Sequence, residues 1–272
     1  MAEKKVMKKV KKAHRTPAKK LNIYGMDGTV KKQIDLPKIF EADFRPDLIH
    51  RASVSINANS RQPYAPKPDA GMRHSVSTWG KGHGVSRVQR LKGSSIAAQS
   101  PNNVGGRRAH PPRVDEKRSK KMNRKEMRLA RLSALAAIAD EQKVRARGHK
   151  LPENMTVPIV IESEFEKIDK TKDAVAVLEK LGLEDEMQRA ENGKRIRAGR
   201  GKMRGRKYRI RKSLLVVLSG KCPAIRSFSN LTGVDVACVD SLNVELLAPG
   251  GLPGRLTVMS ETALDRLAGW AA

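Results

Sequence analysis

The chain has 272 residues, enough to bury a real core in one large domain or two small ones, and its 56 Lys and Arg against 28 Asp and Glu leave a net charge of +28. Aromatic residues are only 3%, so any core is aliphatic, and no apolar run nears the roughly 20 residues of a membrane span. The longest such run is Leu214–Leu218. A Lys-rich start with no apolar stretch behind it argues against a secretory signal. Two cysteines, Cys222 and Cys238, are too few for a disulfide framework and suit a reducing cytoplasm.

Residues 1–20 form a basic tail, with nine Lys/Arg and one acid. Leu21–Tyr24 reads as a strand, Gly25–Gly28 as a turn and Thr29–Leu36 as the returning strand of a hairpin. Phe44-Arg45-Pro46-Asp47 opens a helix, Pro46 being pre-set for the first turn, and Leu48, Ala52 and Ile56 follow at helical spacing. Ser119 to about Arg147 is the strongest helical pattern, with Leu129, Leu132, Leu135, Ile138 and Ala139 as its apolar stripe and Gly148 as its stop. Val157–Ile161 is a buried strand. Thr171–Ala190 is a helix with Val175, Leu178 and Leu181 facing inward. Leu214–Leu218 and Val234–Val239 are further strands, with a short helix near Ala224–Leu231 between them; Leu256–Met259 is the last strand and Glu261–Ala268 the closing helix. Near-continuous apolar strands alternating with helices point to an α/β fold, a three-layer sandwich around a mostly parallel sheet. The body spans 21–60 and 114–272.

Residues 61–113 interrupt it. This stretch holds seven Gly, six Pro and six Ser among 53 residues, and it shows no sustained period of 2 or 3.6. Irregular segments of that length inside a domain are functional or disordered, and this one reads as a long extended arm inserted between two helices. Its ten Lys/Arg face a single acid, Asp69, and residues 193–212 carry eleven Lys/Arg and no acid. Together with the tail, these tracts hold the whole surplus charge on an otherwise balanced chain. Their self-repulsion calls for a polyanion, and without bulky apolar anchors the tracts suit nucleic acid rather than a membrane surface. The candidate RNA-binding residues are Arg61, Arg73, Lys81, Arg87, Arg90, Lys92, Arg107, Arg108 and Arg113 in the inserted segment. In the second tract they are Lys194, Arg195, Arg197, Arg200, Lys202, Arg204, Arg206 and Lys207.

Catalytic and cofactor signatures are missing. None of the four Gly-Lys pairs (at Gly80, Gly193, Gly201 and Gly220) is followed by Ser or Thr, so there is no P-loop. Gly80-Lys81-Gly82-His83-Gly84 lacks the preceding strand and the glycine spacing of a dinucleotide loop. The cysteines are too far apart for a metal knuckle and read as inert core residues. Glu162, Glu164 and Glu166 read as a solvated helix start. No cofactor or metal is expected and no catalytic residue is assigned. Gly251-Leu252-Pro253-Gly254 is a lone GXXG without other support for a KH domain. With so few aromatics, binding has to run through backbone charge and shape.

Several stretches, in order along the chain, resemble the archaeal and eukaryotic branch of the large-subunit ribosomal protein four family. They are Ser77–Val88 (STWGKGHGVSRV), 105–112 (GGRRAHPP), Ser133–Ala137 (SALAA), Lys170–Ala174 (KTKDA), Arg197–Arg204 (RAGRGKMR) and Leu247–Gly251 (LAPGG). The resemblance runs from Ile23 to Leu267, and with no long basic extension after Leu267 the chain is most like an archaeal member. It implies a structural, non-enzymatic constituent of the large subunit in the cytoplasmic ribosome, bound to large-subunit rRNA and neighbouring large-subunit proteins. It also implies an arm threaded into that RNA with its tip near the nascent polypeptide in the exit tunnel. Carried onto this chain, the tip residues are Arg73, Trp79, Lys81, His83 and Arg87. The alternatives are an RNA-modifying enzyme, which needs a cofactor loop after a strand, and a DNA architectural protein, which would prefer duplex DNA.

Overall fold

Alternating burial starts with the first strand. In the computed structural model, which describes residues 20–72, 75–98, 100–101, 103, 106–152 and 155–271, β1 (Lys20–Tyr24) pairs antiparallel with β2 (Val30–Asp35). The turn between them needs Gly28: its φ is +79°, and a Cβ there would stand 2.5 Å from the Lys180 carbonyl oxygen. The basic tail falls outside the described residues but for Lys20. Helix α1 (Pro46–Asn59) follows, starting at the expected proline.

The chain then divides into two units, one made of residues up to 56 together with those from 121 onward, the other of residues 57–120. In the second unit, regular structure among the described residues is confined to the end of α1 and to β3 (Val76–Ser77) paired antiparallel with β4 (Arg90–Leu91). Elsewhere tight turns and side chains hold it. The Arg118 guanidinium lies 4.3 Å from the Tyr64 ring centroid and donates to the Tyr64 and Arg113 carbonyls at 3.1 and 3.0 Å.

In the first unit the chain resumes with α2 (Arg124–Ile138) and α3 (Glu141–Ala146), where the sequence suggests one helix from Ser119. Asp140 explains the break: it leaves helical geometry and its side chain caps α3, accepting from the Gln142 N–H at 3.0 Å. Leu129 is also not on the packed face; it is 54% exposed, while Ala130, Ala134, Leu135 and Ile138 are buried. Leu129 and Ile138 are nine residues apart, which at about 100° per residue places them on opposite sides of the helix. A stripe written every three residues winds off its own face.

Next come β5 (Ile159–Ile161), α4 (Thr171–Lys180) and α5 (Glu184–Asn192). Again one expected helix is two. Gly182, at φ +69°, ends α4: its N–H reaches the Glu179 carbonyl at 2.8 Å and the Leu183 N–H reaches Leu178 at 3.0 Å, the Schellman pattern with glycine at its left-handed position. Ala174, Val177 and Leu178 are buried and Val175 only half so. After the short strands β6 (Arg195–Ile196) and β7 (Tyr208–Arg209) come β8 (Leu215–Leu218), α6 (Ala224–Ser229), β9 (Asp235–Cys238), α7 (Val244–Leu247), β10 (Thr257–Ser260) and α8 (Glu261–Ala268). The closing helix has the expected ends, capped by the Ser260 hydroxyl, which accepts from the Ala263 N–H.

The main sheet is ordered β2-β1-β5-β10-β8-β9; all neighbours are parallel except β2, antiparallel at one edge. Register places Ile23, Val160, Met259, Val217 and Ala237 in one row across five strands, and all five belong to the core that also takes in buried residues of α1, α2, α7 and α8. The alternate residues Ile159, Val258 and Val216 belong to a second core with residues of α3, α4 and α6, in which Phe165 meets Phe228 at 4.8 Å between ring centroids. Buried on both faces, these strands lack the polar alternation of a half-exposed sheet.

The acids after β5 correct a further expectation. Glu164 is exposed, but Glu162 and Glu166 are half-buried and engaged. Glu162 accepts from the Met26 N–H at 3.0 Å and pairs with Lys31 at 2.6 Å. Glu166 accepts from the Ser219 N–H and hydroxyl (2.8 and 2.7 Å) and from the Ser260 and Thr262 hydroxyls (2.5 and 2.8 Å), at the carboxyl ends of β8 and β10. Burial alone would raise the Glu166 carboxyl pKa; the donated hydrogen bonds outweigh it and hold the pKa below its ordinary value.

Candidate nucleic-acid interface

The eleven basic residues of 193–212 form a hairpin. Arg195 pairs with Arg209 and Ile196 with Tyr208, a tight turn over Arg200–Arg204 makes the tip, and Gly199 and Gly205 flank it at φ +69° and +75°. Sequence reasoning found the charge but not the strands, because two-residue strands inside a basic run leave no periodic signal. Lys194, Arg195, Arg197, Arg200, Lys202, Arg204, Arg206 and Lys207 are all exposed. Arg197 spends part of its guanidinium on the Arg206 carbonyl at 3.1 Å, and the Lys194 and Lys207 ammonium groups lie 5.0 and 5.4 Å from the Tyr208 ring centroid. Among the described residues, no carboxylate pairs with any basic side chain from Lys194 to Arg211, while Lys212 at the base pairs with Asp235 at 2.8 Å.

The hairpin is rooted in a buried ionic network that the sequence does not reveal. Glu186 is fully buried on α5 and accepts from the Lys150 N–H (3.0 Å), Arg189 Nε (2.7 Å) and the Ser213 hydroxyl (2.9 Å). His149 Nδ1 lies 2.7 Å from the same carboxylate. Burial pushes Glu186 up, but hydrogen bonds from Arg189, His149 and the Lys150 amide prevail and hold it at about 2. Arg189 also donates to the Lys212 carbonyl at 3.2 Å. Alongside, Arg255 is fully buried; it pairs with Asp235 at 2.7 Å and donates to the Ser213, Leu246 and Leu214 carbonyls. Six chain segments meet here, and only a fold brings them together.

In the unit of residues 57–120, Arg61, Lys81, Arg87, Lys92, Arg108 and Arg113 are exposed, and Arg90 and Arg107 are half-buried. Arg73 lies outside the described residues. The structure brings Trp79, His83 and Arg90 together. The Trp79 and His83 rings meet edge-on at 5.9 Å, and the Arg90 guanidinium lies 5.3 Å from the Trp79 centroid while donating to the Ser86 and Ser95 carbonyls. Arg90 therefore shapes this loop, while Lys81 and Arg87 are exposed on it. Gly80, Gly82 and Gly84 all have positive φ (+82°, +88° and +67°) in open space, so backbone conformation, not crowding, demands glycine there. Gly105 is outside the described residues, and Gly106 serves the unit itself, since a Cβ there would stand 2.0 Å from the Ser100 carbonyl oxygen.

Among the described residues there is no group of three metal-capable side chains and no helix long and apolar enough to cross a membrane. Cys222 and Cys238 are free and half-buried; burial, then the nearby Glu166, pushes the Cys222 thiol up, away from thiolate chemistry.

Residues 34–270 match the model of the ribosomal protein L4/L1 family. The chain is 49% identical over 245 residues to large ribosomal subunit protein uL4 of Methanocaldococcus jannaschii, covering 90% of this chain and 96% of that one. It is 45% identical over 251 residues to uL4 of Archaeoglobus fulgidus (92% and 99% covered) and 44% identical over 256 residues to uL4 of Pyrobaculum aerophilum (93% and 90% covered).

Proposed function

The chain belongs to the ribosomal protein L4/L1 family, and from that premise we propose how its residues serve a structural constituent of the large ribosomal subunit in the cytoplasmic ribosome. Its work is to bind and order large-subunit rRNA beside neighbouring large-subunit proteins; no chemistry is assigned to it. The observation that carries the RNA reading is uncompensated charge. The basic side chains from Arg61 to Arg113 and from Lys194 to Arg211 have no carboxylate partner among the described residues, so counterions alone neutralise them in the free protein. RNA phosphates release those counterions on binding, which makes association strongly salt-dependent.

The two basic regions divide the task. The 193–212 hairpin, held by its buried root, presents a rigid cationic edge to one RNA region. Residues 61–113 act as the RNA-penetrating arm, joined in this by the 1–20 tail, with Trp79, Lys81, His83, Arg87 and Arg73 at the tip beside the nascent polypeptide. Three positive-φ glycines let that tip turn sharply, and the Trp79 ring offers a stacking face in a chain that has few.

The test is sedimentation of the tagged protein from native lysate, with crosslink mapping on the heavy fractions. Stoichiometric presence in the large subunit, with 61–113 crosslinked deep in its RNA, is expected. Protein left in light fractions would overturn the assembly role. Crosslinks confined to 193–212 would overturn the arm.

A further inference from the structure

Beneath the hairpin lies a pocket of about 680 Å³, within the size range of small-ligand sites. Its walls include Arg147, Arg189, Arg195, Arg209, Arg211 and Lys212, together with His149 and a single acid, Glu245. Two of the six cations are already neutralised, Arg189 by Glu186 and Lys212 by Asp235. The other four have no carboxylate partner among the described residues.

Their convergence is costly. Arg195 and Arg209 are register partners, and like charges directly opposite across two strands destabilise the pair. Gly193 admits the third: a Cβ there would stand 2.6 Å from Arg211 Cδ, so only glycine lets the Arg211 stem lie where it does. At the inner wall Arg147 donates one amino group to the Pro249 carbonyl at 3.0 Å, but its other, Nη1, is buried with no partner at all. Burial, then the charges of Arg255 and Arg189, pushes the Arg147 guanidinium down to about 10. His149, fully packed, likewise leaves Nε2 buried and unpartnered. A buried donor without a partner, as at Arg147 Nη1, costs free energy that a ligand can return.

We propose that this pocket is a receptor for one phosphate group, with Arg147 as its inner ligand and Arg195, Arg209 and Arg211 as its surrounding charge. Planar guanidinium groups arriving from separate segments suit a tetrahedral, many-acceptor anion better than a lone carboxylate. The volume leaves room for a sugar attached to the phosphate. The phosphate comes either from an RNA backbone turned into the pocket or from a free polyphosphate. The receptor stands on the pocket's geometry; only its RNA source rests on the ribosomal reading.

The experiment uses the full chain. Its melting temperature is compared in pyrophosphate and in sodium chloride at equal ionic strength, for the wild type, Arg147→Gln, Arg211→Gln and Lys172→Gln. Lys172, exposed on α4, removes the same charge away from the pocket. The wild type and Lys172→Gln should melt higher in pyrophosphate, and each arginine variant should lose most of that rise, its apparent affinity falling about tenfold. Arg211 is exposed, so Arg211→Gln serves even where Arg147→Gln does not fold. Equal rises in all four proteins would reduce the effect to charge screening and overturn the receptor.

For the RNA source, single methylphosphonates are placed along a large-subunit rRNA fragment. A position that weakens wild-type binding about tenfold yet adds nothing in Arg211→Gln identifies the seated phosphate. A pyrophosphate effect without any such position assigns the pocket to a free polyphosphate. Neither effect, in a chain that still sediments with the large subunit, overturns the pocket while leaving the ribosomal role in place.

Discussion

The Trp79 loop and the 193–212 hairpin put the same chemistry at the surface by opposite means. Among the described residues, both present Lys and Arg without acidic partners, turn at positive-φ glycines and carry an aromatic with a cation against its ring. The hairpin, however, stands on a buried carboxylate bound by four groups, next to a fully buried arginine. The loop, among the described residues, closes on itself, through Arg90 on Trp79 and two carbonyls. A basic element with a root arrives at RNA already shaped, whereas one without a root gains its final shape from the RNA it meets, at a cost in ordering entropy.

Removing the root is the hardest test of that contrast. Glu186→Gln should cost about 3–5 kcal/mol by removing a fully buried carboxylate and leaving the half-buried Arg189 beside no countercharge, read as a lower midpoint in urea unfolding; a loss under about 1 kcal/mol, the range of an exposed pair, would make the root ornamental. The same carboxylate sets an acid limit. Its folded pKa of about 2 is below its ordinary value near 4.5, so its stabilisation is complete above about pH 4.5 and drains away as pH falls towards 2. Glu186→Gln should flatten that part of the stability profile, and an unchanged acid limb would reassign it to other acids.

The loop should behave differently. Trp79 is 43% exposed, so Trp79→Ala should lower stability by no more than about 1 kcal/mol, the worth of an exposed cation–π contact, while weakening RNA association. A large stability loss would mean that the loop has a root of its own. Smallest is Arg204→Gln at the hairpin tip: stability should stay within about 0.5 kcal/mol, and the slope of log affinity against log salt should shrink by about one unit or less. An unchanged slope would remove Arg204 from the phosphate contacts.

The apolar strands were legible because burial on both faces writes them as unbroken runs such as Leu214–Leu218, and the closing helix because Ser260 and Gly269 bracket its pattern. Helix ends were less so. Asp140 and Gly182 each interrupt a continuing apolar period, and only their backbone geometry shows it. The basic tracts were plain in composition, yet the hairpin was not, since its strands are two residues long. The ionic root was out of reach altogether: His149, Glu186, Ser213 and Arg255 are distant in sequence, and each alone reads as an ordinary surface residue. The assignment of Glu162 and Glu166 to solvent failed for the same reason, as their partners come from distant parts of the chain.

Glu166 bears on what this fold can host. In parallel α/β sheets, ligands enter the crevice beyond the carboxyl ends of the strands. Here that entrance, at the ends of β8 and β10, is filled by a side chain of the protein's own, which takes up the Ser219 amide and the Ser219, Ser260 and Thr262 hydroxyls. Any anion arriving there must first evict a carboxylate from four donors already aligned to it. The chain thus carries a tethered competitor for the crevice that such sheets offer a ligand, and its uncompensated charge, among the described residues, lies elsewhere.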